Sequence, residues 1–146
     1  MKTLCKVTGM LALALLAAVQ TVRAQEPVLA NIPFTFTVGD TALPAGEYRV
    51  DKVRDGSSVL LIRCTEGKPA IMVMTLPASS NGPQDKAELI FHRYGNRYFL
   101  TQVWSGGGSG GRELPKSAQE KEQALAAHNA TPEQVTIVAR LLSPKP

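Results

Sequence analysis

The chain has 146 residues and a formal net charge of +4. Three of its 16 basic residues, Lys2, Lys6 and Arg23, lie in an N-terminal leader, so 13 basic residues face 12 acidic ones in the remainder. The positive charge of the whole chain therefore comes largely from the predicted leader, and it does not indicate a basic face for nucleic acid or for an anionic membrane surface. The remaining 122 residues, 25–146, fit a single β-rich domain with one core.

The first 24 residues are predicted to be a cleavable secretory signal peptide. A basic start is followed by an apolar stretch, Met10 to Val19, and by the small-residue exit Val22-Arg23-Ala24. The apolar stretch is well short of the roughly 20 residues that span a bilayer, so we expect no transmembrane segment once the leader is cleaved. The mature chain is therefore expected to be periplasmic or extracellular.

Cysteine usage predicts no internal disulfide. Cys5 leaves with the leader, so Cys64 has no partner within the mature chain. Strand alternation places Cys64 on the face of Leu60 and Ile62, which favours burial as a small apolar side chain. The alternative for a leftover thiol in an oxidising compartment is pairing between molecules.

Short segments rich in β-branched and aromatic residues recur along the mature chain, each bounded by turn-forming residues. This pattern predicts a mainly β fold, an antiparallel β-sandwich or open barrel of six to seven strands. The first strand is expected over 32–38, where Pro33 would place it at the start or at the edge of a sheet. Its buried face would be formed by Ile32, Phe34, Phe36 and Val38.

Three further strands are expected in the middle of the chain. They cover Glu47 to Val53, Val59 to Cys64 and Pro69 to Leu76, with hairpin turns at Asp55-Gly56 and Glu66-Gly67-Lys68. The run from Ile71 to Met74 is apolar on both faces, which predicts a central strand.

The clearest hairpin joins Ala87–Tyr94 to Arg97–Trp104 through Gly95-Asn96. Glycine at the first central position favours a type II′ turn. Aromatic neighbours across the two strands each add roughly 0.2–1 kcal/mol, so this hairpin is expected to be the best-ordered part of the sheet.

A glycine-rich loop, 105–111, and a peripheral C-terminal helix, about 117–128, are expected next. Ser117 and Glu120 have the spacing of a capping box, and a last strand follows over Val135 to Leu142. The loop matches G-x-G-x-x-G through Gly106, Gly108 and Gly111. Since Arg112 to Pro115 separate the glycines from the helix and the strands around them are antiparallel, no nucleotide or other cofactor is predicted.

No catalytic or metal-binding constellation is evident. His92, His128 and Cys64 are the metal-binding residue types left besides carboxylates, and they lie far apart in the sequence. A half-buried structural role is favoured for His92. The competing hypothesis is a small secreted hydrolase that uses His92 with a carboxylate such as Glu113.

Candidate ligand-contact residues flank the hairpin and the glycine loop. A stable scaffold with loops, and no reactive group, favours binding over catalysis. Aromatic residues at strand spacing are also typical of a core. The candidates are Arg93, Tyr94, Arg97, Tyr98, Trp104, Arg112 and Glu113.

Three segments, IPFTFTVGDTALPAGEYRV, LIFHRYGNRYFLTQVW and GRELPKSAQEKE, together resemble a family of small, uncharacterised exported bacterial proteins. The shared features are I-P-F-x-F-x-V-G, L-P-A-G-E-Y, F-x-R-Y-G-x-x-Y-F-L and G-R-E-L-P-K-S. The resemblance implies export and a β fold, and it carries over no activity and no catalytic residue.

These observations lead to one expectation and two alternatives. The chain is expected to be an exported, non-catalytic binding or structural module of the bacterial cell envelope, whose partner is an envelope protein or a polysaccharide. The first alternative is the His92 hydrolase. The second is self-association, through an unpaired edge at Ile32–Val38 or through Cys64.

Overall fold

A computed structural model describes residues 27–54, 56–67, 69–79, 85–106, 110–128 and 130–141. The predicted leader lies outside these residues, and within them no helix is long and apolar enough to cross a membrane. In chain order the strands are β1 (Val28–Ile32), β2 (Phe36–Val38), β3 (Thr41–Leu43), β4 (Gly46–Lys52), β5 (Val59–Cys64), β6 (Ala70–Met74), β7 (Leu76–Ala78), β8 (Ala87–Tyr94), β9 (Arg97–Ser105), β10 (Gly111–Glu113), β11 (Glu133–Val138) and β12 (Arg140–Leu141), with helix α1 (Ala118–Ala126) between β10 and β11.

The strands form two sheets. The first has five strands in the order β12-β1-β4-β5-β6, and all neighbours are antiparallel. The second has seven strands, with β11-β8-β9-β10-β7 in order and with β2 and β3 attached through a parallel contact of β2 with β9. The two sheets do not close into a barrel, so the predicted mainly β fold is confirmed in its sandwich form.

The core lies between the sheets and is joined by aromatic contacts. Phe36 of the second sheet meets Tyr48 of the first edge to face at 5.0 Å and Phe91 at 5.6 Å. The Tyr48 hydroxyl donates a hydrogen bond to the Pro44 carbonyl at 2.7 Å, so this buried ring has a polar partner. The Phe36–Tyr48 contact therefore joins the two sheets across the core.

The strand predicted over 32–38 is two strands in different sheets. β1 ends at Ile32, directly before Pro33, because proline has no N–H to continue the ladder. The predicted face is largely correct, since Ile32, Phe36 and Val38 are fully buried. The predicted edge is wrong: β1 pairs with β12 and β4, and β2 pairs with β3 and β9.

The central strand predicted around Ile71–Met74 is also wrong. β6 is the last strand of the first sheet and, among the described residues, pairs with β5 alone. Ile71 and Val73 pack against the core, whereas Met72 and Met74 are 64% and 70% exposed. The apolar run therefore has one face on the core and one face in solvent.

The predicted hairpin is confirmed. β8 and β9 pair along their whole length, with an irregularity between Ile90 and Phe91. Gly95 has a φ of 60°, as the first central residue of a type II′ turn requires.

The predicted helix start is confirmed, because the Ser117 side chain accepts a hydrogen bond from the Glu120 amide at 3.2 Å. The helix ends at Ala126, short of the expected His128. The last predicted strand is split into β11 and β12, and Ala139 donates to the Ala87 carbonyl at 2.8 Å where the chain crosses between sheets. Such bends make the strands more numerous and shorter than the six or seven segments expected.

Candidate functional site

Helix α1 lies over the outer face of the β8–β9 hairpin and is held there by Gln119. Arg97 donates to the Gln119 side-chain oxygen at 2.9 Å. The Gln119 amide nitrogen donates to the Asp40 carbonyl at 3.1 Å, in the turn between β2 and β3. One side chain therefore joins the helix to two separate parts of the second sheet.

Three polar residues near α1, which we call the α1 cluster, are the buried Tyr94 and Glu120 and the half-buried His92. His92 and Tyr94 project from the same face of β8, and Glu120 is 3% exposed in the first turn of α1. Among the described residues, three buried side-chain atoms have no hydrogen-bond partner, namely His92 Nδ1, the Tyr94 hydroxyl oxygen and Glu120 Oε2. All three belong to the α1 cluster.

The α1 cluster favours neutral side chains. Burial raises the pKa of the Glu120 carboxyl, and the charge of Lys116 partly opposes this. Burial also raises the pKa of Tyr94, with the Glu120 charge acting in the same direction. Burial lowers the pKa of His92, with Lys116 acting in the same direction and Glu113 opposing it. Removal from water disfavours the charged form of each group.

Among the described residues no carboxylate is hydrogen-bonded to His92 Nδ1, and the hydrolase alternative stays a prediction. A histidine base is normally oriented by a hydrogen bond from its second nitrogen to a carboxylate. His92 Nδ1 has no such partner among the described residues, and Glu113, although close enough to influence the pKa of His92, is exposed. In the part of the chain that the structure describes, no group of three or more His, Cys, Asp or Glu side chains could hold a metal ion.

Two of the predicted contact residues are interior. Tyr94 is 7% exposed and meets Phe99 edge to face at 5.8 Å. Trp104 is buried and donates from Nε1 to the Gln102 side chain at 3.0 Å. Their rings contribute to packing on the outer side of the second sheet.

Three other candidates cluster at the turn end of the hairpin. Tyr98 stacks on Phe34 with ring centroids 3.9 Å apart. The Arg93 guanidinium lies 5.5 Å from the Tyr98 ring and forms an ion pair with Glu133 at 3.4 Å. Arg97, besides its bond to Gln119, lies 5.4 Å from the ring of Phe99.

The last two candidates lie on β10. Arg112 is half-buried and donates to the Ser57 carbonyl at 3.1 Å, which joins the second sheet to the turn between β4 and β5 of the first. Glu113 is exposed. The structure thus brings most of the seven residues into internal contacts, and their role in ligand binding stays a prediction.

Cys64 lies at the end of β5 on the predicted face. It is half-buried, packs against the core and forms no disulfide within the described residues. Pairing between molecules through this thiol stays a prediction.

One exposed apolar surface lies on the outer face of the first sheet, while other exposed apolar side chains, such as Leu125 and Val138, belong to α1 and β11. Met72 is opposite Leu61, and Met74 is opposite Val59. Val53 lies on the other side of Val59 from Met74, since the Val53 amide donates to the Val59 carbonyl at 3.2 Å. We call this surface, β6 with Val53, Val59 and Leu61 beside it, the Met edge.

On one side of β6, the backbone N–H and C=O groups point away from β5. The Cys64 amide donates to the Pro69 carbonyl, and the Thr75 amide donates to the Ser58 carbonyl, at 3.0 and 2.8 Å. Because hydrogen-bonded pairs alternate in an antiparallel ladder, Ile71 and Val73 direct their backbone groups to β5. The backbone groups of Ala70, Met72 and Met74 therefore point away from the sheet.

Sequence analysis missed the Met edge because it assigned β6 to the middle of a sheet. The available signal was the alternation of β-branched and methionine residues in Ile71-Met72-Val73-Met74, which is the order of a strand with only one buried face.

In comparison with known proteins, no protein-family model, curated protein or solved structure matches the chain. The resemblance suggested by the I-P-F-x-F-x-V-G opening and the hairpin motif stays a prediction.

Proposed function

We propose that this chain is an exported, non-catalytic interaction module of the bacterial cell envelope and that it binds its partner by strand addition at β6. The observation that carries the proposal is the coincidence, in Met72 and Met74, of exposed apolar side chains with outward-pointing backbone groups. In strand addition the backbone supplies hydrogen bonds and alternate side chains supply selectivity.

The amino-acid composition of β6 supports strand addition at this strand. Exposed edges are normally protected from association by charged side chains, proline or bulges. Residues 69–79 contain no charged side chain. Pro77, in the following strand β7, has no N–H to offer, so the stretch suited to pairing is β6 itself.

Methionine suits a recognition surface. Its unbranched, polarisable side chain adapts to differently shaped partners. Two exposed methionines beside Leu61 and Val59 thus offer a deformable apolar surface next to a row of backbone groups that point away from β5. Export and the envelope location are supported by the predicted leader.

Strand addition can be tested with a labelled, end-capped peptide of alternating valine and threonine, followed by fluorescence anisotropy. Met72→Pro removes the outward N–H without removing a bond to β5, whereas Met72→Ala shortens the side chain and keeps that N–H. We expect saturable binding that Met72→Pro weakens at least about tenfold relative to Met72→Ala, a difference of about 1.4 kcal/mol. Equal binding by the two variants, both shown to be folded by circular dichroism, would overturn strand addition.

A further inference from the structure

We infer that the partner at β6 is a second copy of this chain, paired antiparallel with the first about a two-fold axis at Met72. The inference rests on the proposed function, since it names the partner for the same edge. Three features of β6 support a second copy: the direction of its backbone groups, the sizes of its side chains and its lack of charge.

The register follows from which residues point outward. Antiparallel strands exchange both hydrogen bonds only between directly opposed residues whose backbone groups face one another. Ala70, Met72 and Met74 have that orientation. An axis at Met72 places Met72 opposite Met72 of the second copy and Ala70 opposite Met74 of the second copy, so every outward residue in β6 meets another outward residue.

The side chains agree with this register. The small Ala70 faces the large Met74, and the two Met72 side chains meet at the axis. The apolar row formed by Leu61 and Met72 in one copy continues into the same row of the other. Pairing would thus cover Met72, which is 64% exposed in the isolated chain.

The lack of charged side chains at this edge favours a second copy over a different partner. A two-fold interface opposes each patch to itself, so any charge near the axis would face a like charge. An edge selected for a different protein could use a complementary charge, yet residues 69–79 have none. Arg63, opposite Ala70 on the neighbouring strand, already lies 3.6 Å from Asp51 of its own chain.

The oligomeric state tests the inference. Sedimentation velocity with reductant, over protein concentrations from about 1 µM to several hundred µM, is expected to show a monomer–dimer equilibrium. Met72→Lys should abolish the dimer, because two ammonium groups would face each other at the axis. Leu125→Lys is the matched control: Leu125 is 67% exposed on α1, away from the edge, and its replacement should leave the dimer unchanged.

A charge swap tests the position of the axis. Met72→Asp alone should also be monomeric, whereas an equimolar mixture of Met72→Asp and Met72→Lys should restore a dimer, because opposite charges then meet. Mixing that restores no dimer, although each single variant is folded and monomeric, would contradict the axis at Met72. A dimer that forms only without reductant and is lost in Cys64→Ser would overturn the inference in favour of a thiol link.

The two proposals can fail separately. If the wild-type chain stays monomeric at every concentration while the valine–threonine peptide still binds and Met72→Pro still weakens it, strand addition stands and the second copy is wrong. If the chain neither dimerises nor binds the peptide, both are wrong.

Discussion

The indole of Trp104 lies directly against the backbone of Gly111, its partner across the β9–β10 pair. A Cβ atom on Gly111 would come within 2.5 Å of the ring carbon Cε3. Gly111 is therefore required for space, because the ring occupies the position that any side chain would take. An aromatic ring that covers a strand glycine in this way shields the glycine backbone from water.

Gly111→Ala should consequently destabilise the fold. Forcing a methyl group into a filled site costs about 1–3 kcal/mol. Gly46→Ala is the matched control in another strand, since its Cβ would meet the Tyr48 ring at an ordinary 3.8 Å. Urea denaturation measures both free energies of unfolding, and a Gly111→Ala loss no larger than that of Gly46→Ala would contradict the steric explanation.

The two buried tyrosines should respond in opposite ways to loss of the hydroxyl. Tyr48→Phe removes the 2.7 Å hydrogen bond to the Pro44 carbonyl and should lower the free energy of unfolding by about 1 kcal/mol. Tyr94→Phe removes a buried hydroxyl without a partner among the described residues, so stability should be unchanged or higher. Equal losses in the two variants, measured by urea denaturation, would show that the Tyr94 hydroxyl has a partner.

Glu120→Gln should raise stability at neutral pH. Burial holds the pKa of Glu120 above its ordinary value of 4.5, so the unfolded chain releases this proton at lower pH than the folded chain. The stabilising effect of the neutral carboxyl is complete below pH 4.5 and is lost as pH rises through the folded-state pKa. The variant cannot ionise and should gain on the order of 1 kcal/mol at pH 7.

The measurement for Glu120 is the free energy of unfolding as a function of pH. The difference between Glu120→Gln and the wild type should grow from pH 4 upward and then level off. Glu122→Gln, at an exposed position of the same helix, controls for loss of a negative charge. A difference that does not change with pH would contradict the raised pKa.

The contribution of His92 to the pH dependence of stability should have the opposite sign to that of Glu120. Burial lowers the pKa of His92 below its ordinary 6.5, so on acidification the unfolded chain takes up this proton before the folded chain does. The contribution to stability is complete above pH 6.5 and is lost as pH falls toward the folded-state pKa. His92→Gln should therefore lose less stability than the wild type between pH 7 and pH 5, and a thermal melting series over this range measures it.

The His92 experiment tests whether burial holds this side chain in its neutral form. His128→Gln, at an exposed position beyond α1, controls for the loss of a histidine. If the pH dependence of wild type and His92→Gln is the same, His92 is not held in its neutral form by burial. The balance of burial and neighbouring charge described for the α1 cluster would then be incorrect.

Local patterns predicted the elements that depend on neighbours in sequence. The β8–β9 hairpin needs only a glycine that accepts positive φ and two alternating strands, and the start of α1 needs only Ser117 before good helix formers. β5 has the predicted bounds for the same reason. In each case the interactions that decide the structure lie within a few residues.

The position of a strand within a sheet is not such a local property. An apolar run such as Ile71–Met74 can be central or at an edge, because the pattern of the run does not reveal whether another strand covers its free side. Similarly, 105–111 was predicted to be a loop, whereas Gly111 begins β10 and is confined by Trp104, a contact that only the pairing of β9 with β10 creates.

The sequence by itself therefore determined the alternation of side chains, the turns, the helix cap and, through these, a mainly β fold, since each depends on steric and hydrogen-bonding preferences of adjacent residues, whereas the choice of a sandwich over an open barrel came from the structure. Only the tertiary structure decided which strands are edges, which polar groups of α1 and β8 are buried together, and which aromatic residues are interior. These features depend on residues distant in the chain, and burial is a property of the whole packed molecule rather than of any segment.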